Sequence, residues 1–191
     1  ETTTDTLDKR TGSSVTFTPK KAYISYQITV NFQEGTRRLT ASVNVYIKPG
    51  PVHHLVIEPS ATPSGRARNF DTPFPNNTIS YGATDTIQSA YAILRDVNQN
   101  FISTSQGTNW QSLDSLLFSA REGIVILGEG RILRVGETGQ TNVVAWNKNN
   151  TALRDTVRVR ATDFSYDSLR IVVNDSIRIT ELIMASSDDT L

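Results

Sequence analysis

The chain has 191 residues, 19 basic and 19 acidic side chains, and no cysteine. That length buries a real core, as one large domain or two small ones. The missing cysteines exclude disulfides, zinc–cysteine centres and thiol catalysis. The even charge balance, with no basic stripe, argues against nucleic acid as a partner. No apolar run approaches the roughly 18 residues that a bilayer span requires, and no leader-like segment with a basic start and an apolar middle is visible. No membrane insertion is therefore expected.

Threonine and valine are abundant, and their β-branched side chains favour a pleated, half-buried surface. No segment carries a helical period. The first clear element is a strand in which Ile24, Tyr26, Ile28, Val30 and Phe32 alternate with Ser25, Gln27, Thr29 and Asn31. Leu39, Ala41, Val43, Val45 and Ile47 repeat the pattern after "QEGTRR", which predicts an antiparallel hairpin closed by a loop rather than a two-residue turn. Pro49, Gly50 and Pro51 then read as a linker between domains.

A strand in "VHHLVIEP" opens the next unit. Residues 60–84 follow with three prolines and no period, a length of loop that is uncommon inside a compact domain. Strands are predicted in "DTIQSAYAILRD", "NFIST", "SLLFSA", "GIVIL", "RILRV", "TNVVAW" and "DTVRVRA", with "VNQN" as a turn. This spacing is that of an all-β sandwich. Beyond Phe164 further alternation starts at Leu169, Ile171 and Val173, then Ile177 and Ile179.

"WQSLDS" from Trp110, the glycines Gly128 and Gly130, and "RVGETGQTNVVA" occur in that order. The stretch resembles the bacterial immunoglobulin-like (Big) domains of extracellular surface proteins and adhesins, closest to their group 2. The resemblance covers about half of residues 52–162 and departs from the family's pattern at the 60–84 insertion. It implies immunoglobulin-like β-sandwich modules with antiparallel sheets, on a bacterial cell surface or secreted. On the residues alone, Trp110 and Trp146 are expected as core anchors.

Residues 51–163 are expected to form one complete domain. Residues 1–50 resemble the end of such a module, and 164–191 its first strands. A lone hairpin is marginal in water, so the two fragments are expected to complete each other, within one chain or between neighbouring units. "TTTDTL" near the start and "SSDDTL" at residues 186–191 fit one period of a tandem array. Head-to-tail contacts that do not close give open filaments, and strand donation to a sheet edge is a known mode of assembly.

Seven Asp-Ser/Thr-aliphatic triplets make Thr6, Thr86, Ser115, Thr156, Ser168, Ser176 and Thr190 candidates for O-glycosylation. The competing reading is that Asp closes a turn and the hydroxyl residue opens a strand. Asn76, Asn149 and Asn174 open Asn-x-Ser/Thr triplets of low information. Asp96, Asn98 and Asn100 carry calcium-type oxygens, but no glutamate follows at the EF-hand position, so a plain turn is expected. His53 and His54 are adjacent on a strand and are expected on opposite faces. Arg66, Arg68, Phe70, Phe74 and Tyr81 form the candidate contact set for a partner or glycan; the alternative is an extended segment packed along the sandwich. No catalytic, cofactor-binding or metal-binding residues are expected. The sequence reads as a structural extracellular protein, a subunit or repeat of a filament, stalk or adhesin whose partners are neighbouring copies and surface glycans. A carbohydrate-binding or spacer module of a secreted polysaccharide-degrading enzyme is the alternative.

Overall fold

A computed structural model describes residues 6–7 and 14–162. The expected strands beyond Phe164, and their pairing with the first fifty residues, lie outside the described residues.

β1 (Thr6–Leu7) and β2 (Phe17–Thr18) make a short antiparallel pair. β3 (Ser25–Glu34) and β4 (Arg37–Tyr46) form the expected hairpin, in register from Ser25↔Tyr46 to Glu34↔Arg37. The turn is tighter than the sequence indicates. Only Gly35 and Thr36 lie between the strands, and Gly35 sits at φ 58°, a conformation glycine takes without steric cost. The two faces of the ribbon differ in chemistry. One carries the polar pairs Thr29–Ser42 and Asn31–Thr40, each hydrogen bonded. The other pairs Tyr26 with Val45, Ile28 with Val43, Val30 with Ala41 and Phe32 with Leu39. Toward the tip that apolar face is open, with Val30 62% exposed, Val43 57% and Phe32 54%, while at the base the Phe17 ring packs edge-on against Tyr26 at 4.9 Å.

The sandwich is built from β5 (His54–Glu58), β6 (Thr78–Tyr81), β7 (Ile87–Arg95), β8 (Phe101–Thr104), β9 (Thr108–Ser112), β10 (Phe118–Glu122), β11 (Glu129–Arg134), β12 (Gly139–Asn147) and β13 (Arg154–Ala161). One sheet runs β10-β11-β7-β5, with β8 also paired to β7; the other runs β6-β13-β12-β9. In chain order this is the ABED and CFG arrangement of an immunoglobulin domain. β6 switches sheets and adds to the last strand in parallel, Ile79 opposite Val159; every other strand pair among the described residues is antiparallel. The fold is all-β, and the sandwich is immunoglobulin-like.

The core lies between the sheets: Leu55, Ile57, Ala90, Ala92, Phe118 and Ile132 face Ile79, Tyr81, Trp110, Val143, Ala145, Val157 and Val159. The two strongest features of the resemblance meet here. Trp110 packs flat over Gly130, where a Cβ would collide with the indole.

Three further expectations change. The 60–84 segment is not free of regular structure: it holds two 3-10 turns (Gly65–Arg68 and Pro75–Asn77) and then β6. Four strand residues behind Pro73 and Pro75 are too few to show a period. "GIVIL" is a loop between β10 and β11, with Ile124 93% and Val125 90% exposed. The loop ends at Gly128, where at φ 74° a Cβ would come within 2.8 Å of the Ser105 carbonyl oxygen, so no side chain fits. Trp146 pairs with Arg154 and Asn109 on the outer face of its sheet and is only half buried, so it is no core anchor.

The chain joins and leaves the sandwich at opposite ends of β7. At one end His53 N–H donates to the Arg95 carbonyl; at the other Thr162 N–H donates to the Tyr81 carbonyl and Arg134 N–H to Thr86. Nine strand residues separate these ends by about 27 Å.

Candidate functional site

Among the described residues the most densely bonded polar site is the joint between hairpin and sandwich. The turn "DVNQN" follows β7, and Gln99 enters the left-handed region at φ 66°. Asp96 Oδ1 accepts the backbone N–H groups of Asn98 and Asn100, both at 2.9 Å. Its Oδ2 accepts Gly50 N–H at 2.9 Å and Asn100 Nδ2 at 2.8 Å. Asn100 in turn accepts Ala22 N–H at 2.9 Å and donates to the Lys20 carbonyl at 2.8 Å. Tyr23, at φ 63°, donates its hydroxyl to the Phe101 carbonyl at 2.7 Å. Burial raises that hydroxyl's pKa, against the lowering effect of Arg68, whose guanidinium lies 4.1 Å above the ring. Two buried side chains thus hold both segments that flank the hairpin. With each Asp96 oxygen engaged by two N–H donors, the carboxylate acts as a clamp rather than as a calcium ligand.

Residues 67–72 lie against the outer face of the β5–β7 sheet, and the segment then crosses to the other sheet, where Asn77 Nδ2 donates to the Thr156 carbonyl at 3.0 Å; it is packed along the sandwich, as the alternative reading has it. Its anchor is an ion pair. Arg95 Nε and Nη2 bond Glu58 Oε1 and Oε2 at 2.6 and 2.9 Å, with both side chains fully buried. Arg95 also donates to the carbonyls of Ala67 at 3.0 Å and Gln99 at 2.5 Å, and Thr72 Oγ1 donates to Glu58 at 2.9 Å. Such a pair is worth having only when the remaining donors and acceptors are satisfied, and here the loop at Ala67 and Thr72 and the turn at Gln99 supply partners.

The five candidate contact residues are not brought together. Arg66 lies over Phe70 at 5.1 Å, Arg68 over Tyr23, and Phe74 packs against the core. Tyr81 is a correction: it is 1% exposed, and its hydroxyl donates to the Ile132 carbonyl at 2.6 Å. It faces inward because it stands two places from Ile79 on β6, whose alternate residues enter the core.

Among the glycosylation candidates, Thr86, Ser115 and Thr156 are exposed. Their aspartates are occupied with backbone N–H groups. Asp85 accepts Gly82 N–H, Asp114 accepts Leu116 and Leu117 N–H, and Asp155 accepts Thr156 and Ile57 N–H. At Asp85 and Asp114 this is turn chemistry, whereas Asp155 lies within β13 and holds β5 through Ile57. Of Thr6 only the backbone pairing with Thr18 is described; Ser168, Ser176 and Thr190 lie outside the described residues. His53 and His54 do not diverge. His53 precedes β5, so its ring turns back to lie 3.1 Å, nitrogen to nitrogen, from that of His54. Among the described residues no group of three or more His, Asp or Glu side chains is placed to hold a metal ion.

The Asp96–Asn100 clamp is not legible in the sequence beyond a turn, because its partners at 20–22 and 50 lie far along the chain. No protein-family model matches the chain, and no curated protein does. Among solved structures it is similar to domains 4–9 of the surface layer protein SbsC, at 16% identity and TM-score 0.42 over 73% of this chain and 21% of that one. It is also similar to domains 4 and 5 of the S-layer protein SbsC, at 14% and 0.36 over 77% and 62%. Extracellular cadherin domains 3–6 of protocadherin gamma B2 align at 18% and 0.40 over 83% and 36%. The chain spans less than two thirds of each of these proteins.

Proposed function

We propose that the chain is a structural, non-catalytic component of an extracellular surface assembly, a filament, stalk or adhesin of immunoglobulin-like units joined head to tail. The apolar face of the β3–β4 hairpin carries this reading. An open row of aliphatic and aromatic side chains on a two-stranded ribbon marks an interaction surface, and a ribbon of two strands needs a cover for independent stability. Residues 164–191 are the occupant, in the next unit rather than their own. From Thr162 the base of the same chain's hairpin is about 27 Å back along the sandwich, a span that uses up about eight extended residues. The alternating pattern already begins at Leu169. A neighbouring unit requires no such detour.

Electron microscopy and light scattering of the concentrated full chain test this. Linear polymers are expected, and Ile28→Asp with Val43→Asp is expected to leave monomers with a folded sandwich. A wild-type chain that stays monomeric with its hairpin amides protected from exchange would mean completion within one chain, and the head-to-tail reading would fail.

A further inference from the structure

The outer face of the β6-β13-β12-β9 sheet has a composition unlike the rest of this neutral chain. Outward positions alternate with the core positions along each strand, and the register places Arg154, Arg158 and Arg160 outward on β13. All three are exposed, and among the described residues none makes an ion pair. The sheet contains one carboxylate, Asp155, which is turned inward and bonded to Ile57 and Thr156 N–H. The neighbouring outward residues on β12 and β9 include Gln140, Asn142 and Gln111, with Trp146 at the end beside Arg154.

Three depressions mark this face, and two of them set arginine beside an aromatic side chain. One, of about 270 Å³, is lined by Trp146, Arg154, Gln111 and Thr151. The other, of about 540 Å³, is lined by Arg158, Arg160, Gln140, Ser80 and Phe74. They lie on the same pair of strands, and the Trp146–Arg154 and Gln140–Arg160 pairs are six residues apart, about 20 Å.

We propose that this face binds an acidic polysaccharide, one bearing carboxylates along an extended chain. Guanidinium groups match carboxylates in planar, two-point geometry. Side-chain amides supply both donors and acceptors for hydroxyl groups. The half-exposed indole gives an apolar plane for the C–H face of a sugar ring. Three cations along about 20 Å are sparse for a nucleic-acid phosphate track, and two aromatic rings in separate depressions make no stacking ladder for bases. The site is separate from the hairpin face and does not depend on assembly.

Binding of the full chain, made in a host that adds no O-glycan at Thr156, is measured by affinity electrophoresis and calorimetry. The probes are polygalacturonate, a neutral dextran and double-stranded DNA. Polygalacturonate is expected to bind, weaken as salt rises, and exclude dextran. Arg158→Gln with Arg160→Gln is expected to weaken it by at least about tenfold, and Trp146→Ala to weaken it with no change in the salt dependence. Thermal unfolding confirms that the variants remain folded. Dextran binding as tightly as polygalacturonate, DNA binding more tightly than both, or Trp146→Ala binding like the wild type would each overturn the proposal.

Discussion

Asp96 holds Gly50, 46 positions earlier in the chain, through a 2.9 Å hydrogen bond from the Gly50 N–H to Oδ2. The carboxylate is 2% exposed and takes three further N–H donors. Asp96→Ala leaves all four donors without it, so a loss of about 3 kcal/mol is expected. Urea unfolding measures the loss. Small-angle scattering is expected to report a wider spread of hairpin orientations, and unchanged scattering would show that Asn100 and Tyr23 hold the joint alone.

Breaking the Glu58–Arg95 pair from one side leaves a buried, uncompensated charge. Glu58→Ala is expected to cost about 3–5 kcal/mol. It should also free the loop, making Arg66 and Arg68 faster sites for trypsin. Replacing both partners, Glu58→Leu with Arg95→Met, removes the stranded charge and is expected to recover some of the stability but not the protection from trypsin. A double variant as unstable as the single one would count against this account.

Gly130 is filled space rather than a flexible point. Gly130→Ala forces Trp110 or a strand to move and is expected to cost about 1–3 kcal/mol. The buried indole N–H of Trp110 has no hydrogen-bond partner, and its fluorescence, read in a Trp146→Phe background because the chain has two tryptophans, reports the shift. An alanine variant with wild-type emission and stability would refute the contact.

Burial pushes the Tyr81 hydroxyl well above its ordinary value of 10.0, outweighing the opposing hydrogen bond at Gln88. The unfolded chain therefore loses this proton first. The contribution is fully present below about pH 10 and is lost as pH rises beyond it, by up to about 1.4 kcal/mol per pH unit. Tyr81→Phe is expected to cost about 1 kcal/mol at neutral pH and to flatten the alkaline decline. Denaturation midpoints between pH 7 and 11 check both, and an unaltered decline would assign the ionisation to another group.

What is legible in the residues alone divides by the range of the contacts involved. The β3–β4 pairing follows from ten-residue period-two runs, and the sandwich from evenly spaced Val and Ile runs broken by glycine. β6 is too short to announce itself. The "GIVIL" run has strand composition throughout, and the close approach of Gly128 to Ser105 that follows it is a contact distant in sequence. A core position for Trp146 fails because "VVAW" offers apolar residues to both faces; Val143 and Ala145 take the inside, and the larger ring is left outside. For the candidate contact residues, residue type is a sound guide to surface at Arg66 and Arg68, and fails at Tyr81, where position on β6 decides.

The parallel register of β6 with β13 bears on how the sandwich carries load. Tension applied through the linker and through Thr162 pulls along the strand axes, because the chain joins and leaves at opposite ends of the sheets. β13 would have to slide past β6 and β12 with four and eight paired residues strained together, and β5 past β7 with five. Hydrogen bonds loaded side by side in shear yield together, whereas those at the end of a hairpin break singly, each in its turn. The domain's topology therefore resists stretching along the chain more than peeling across it.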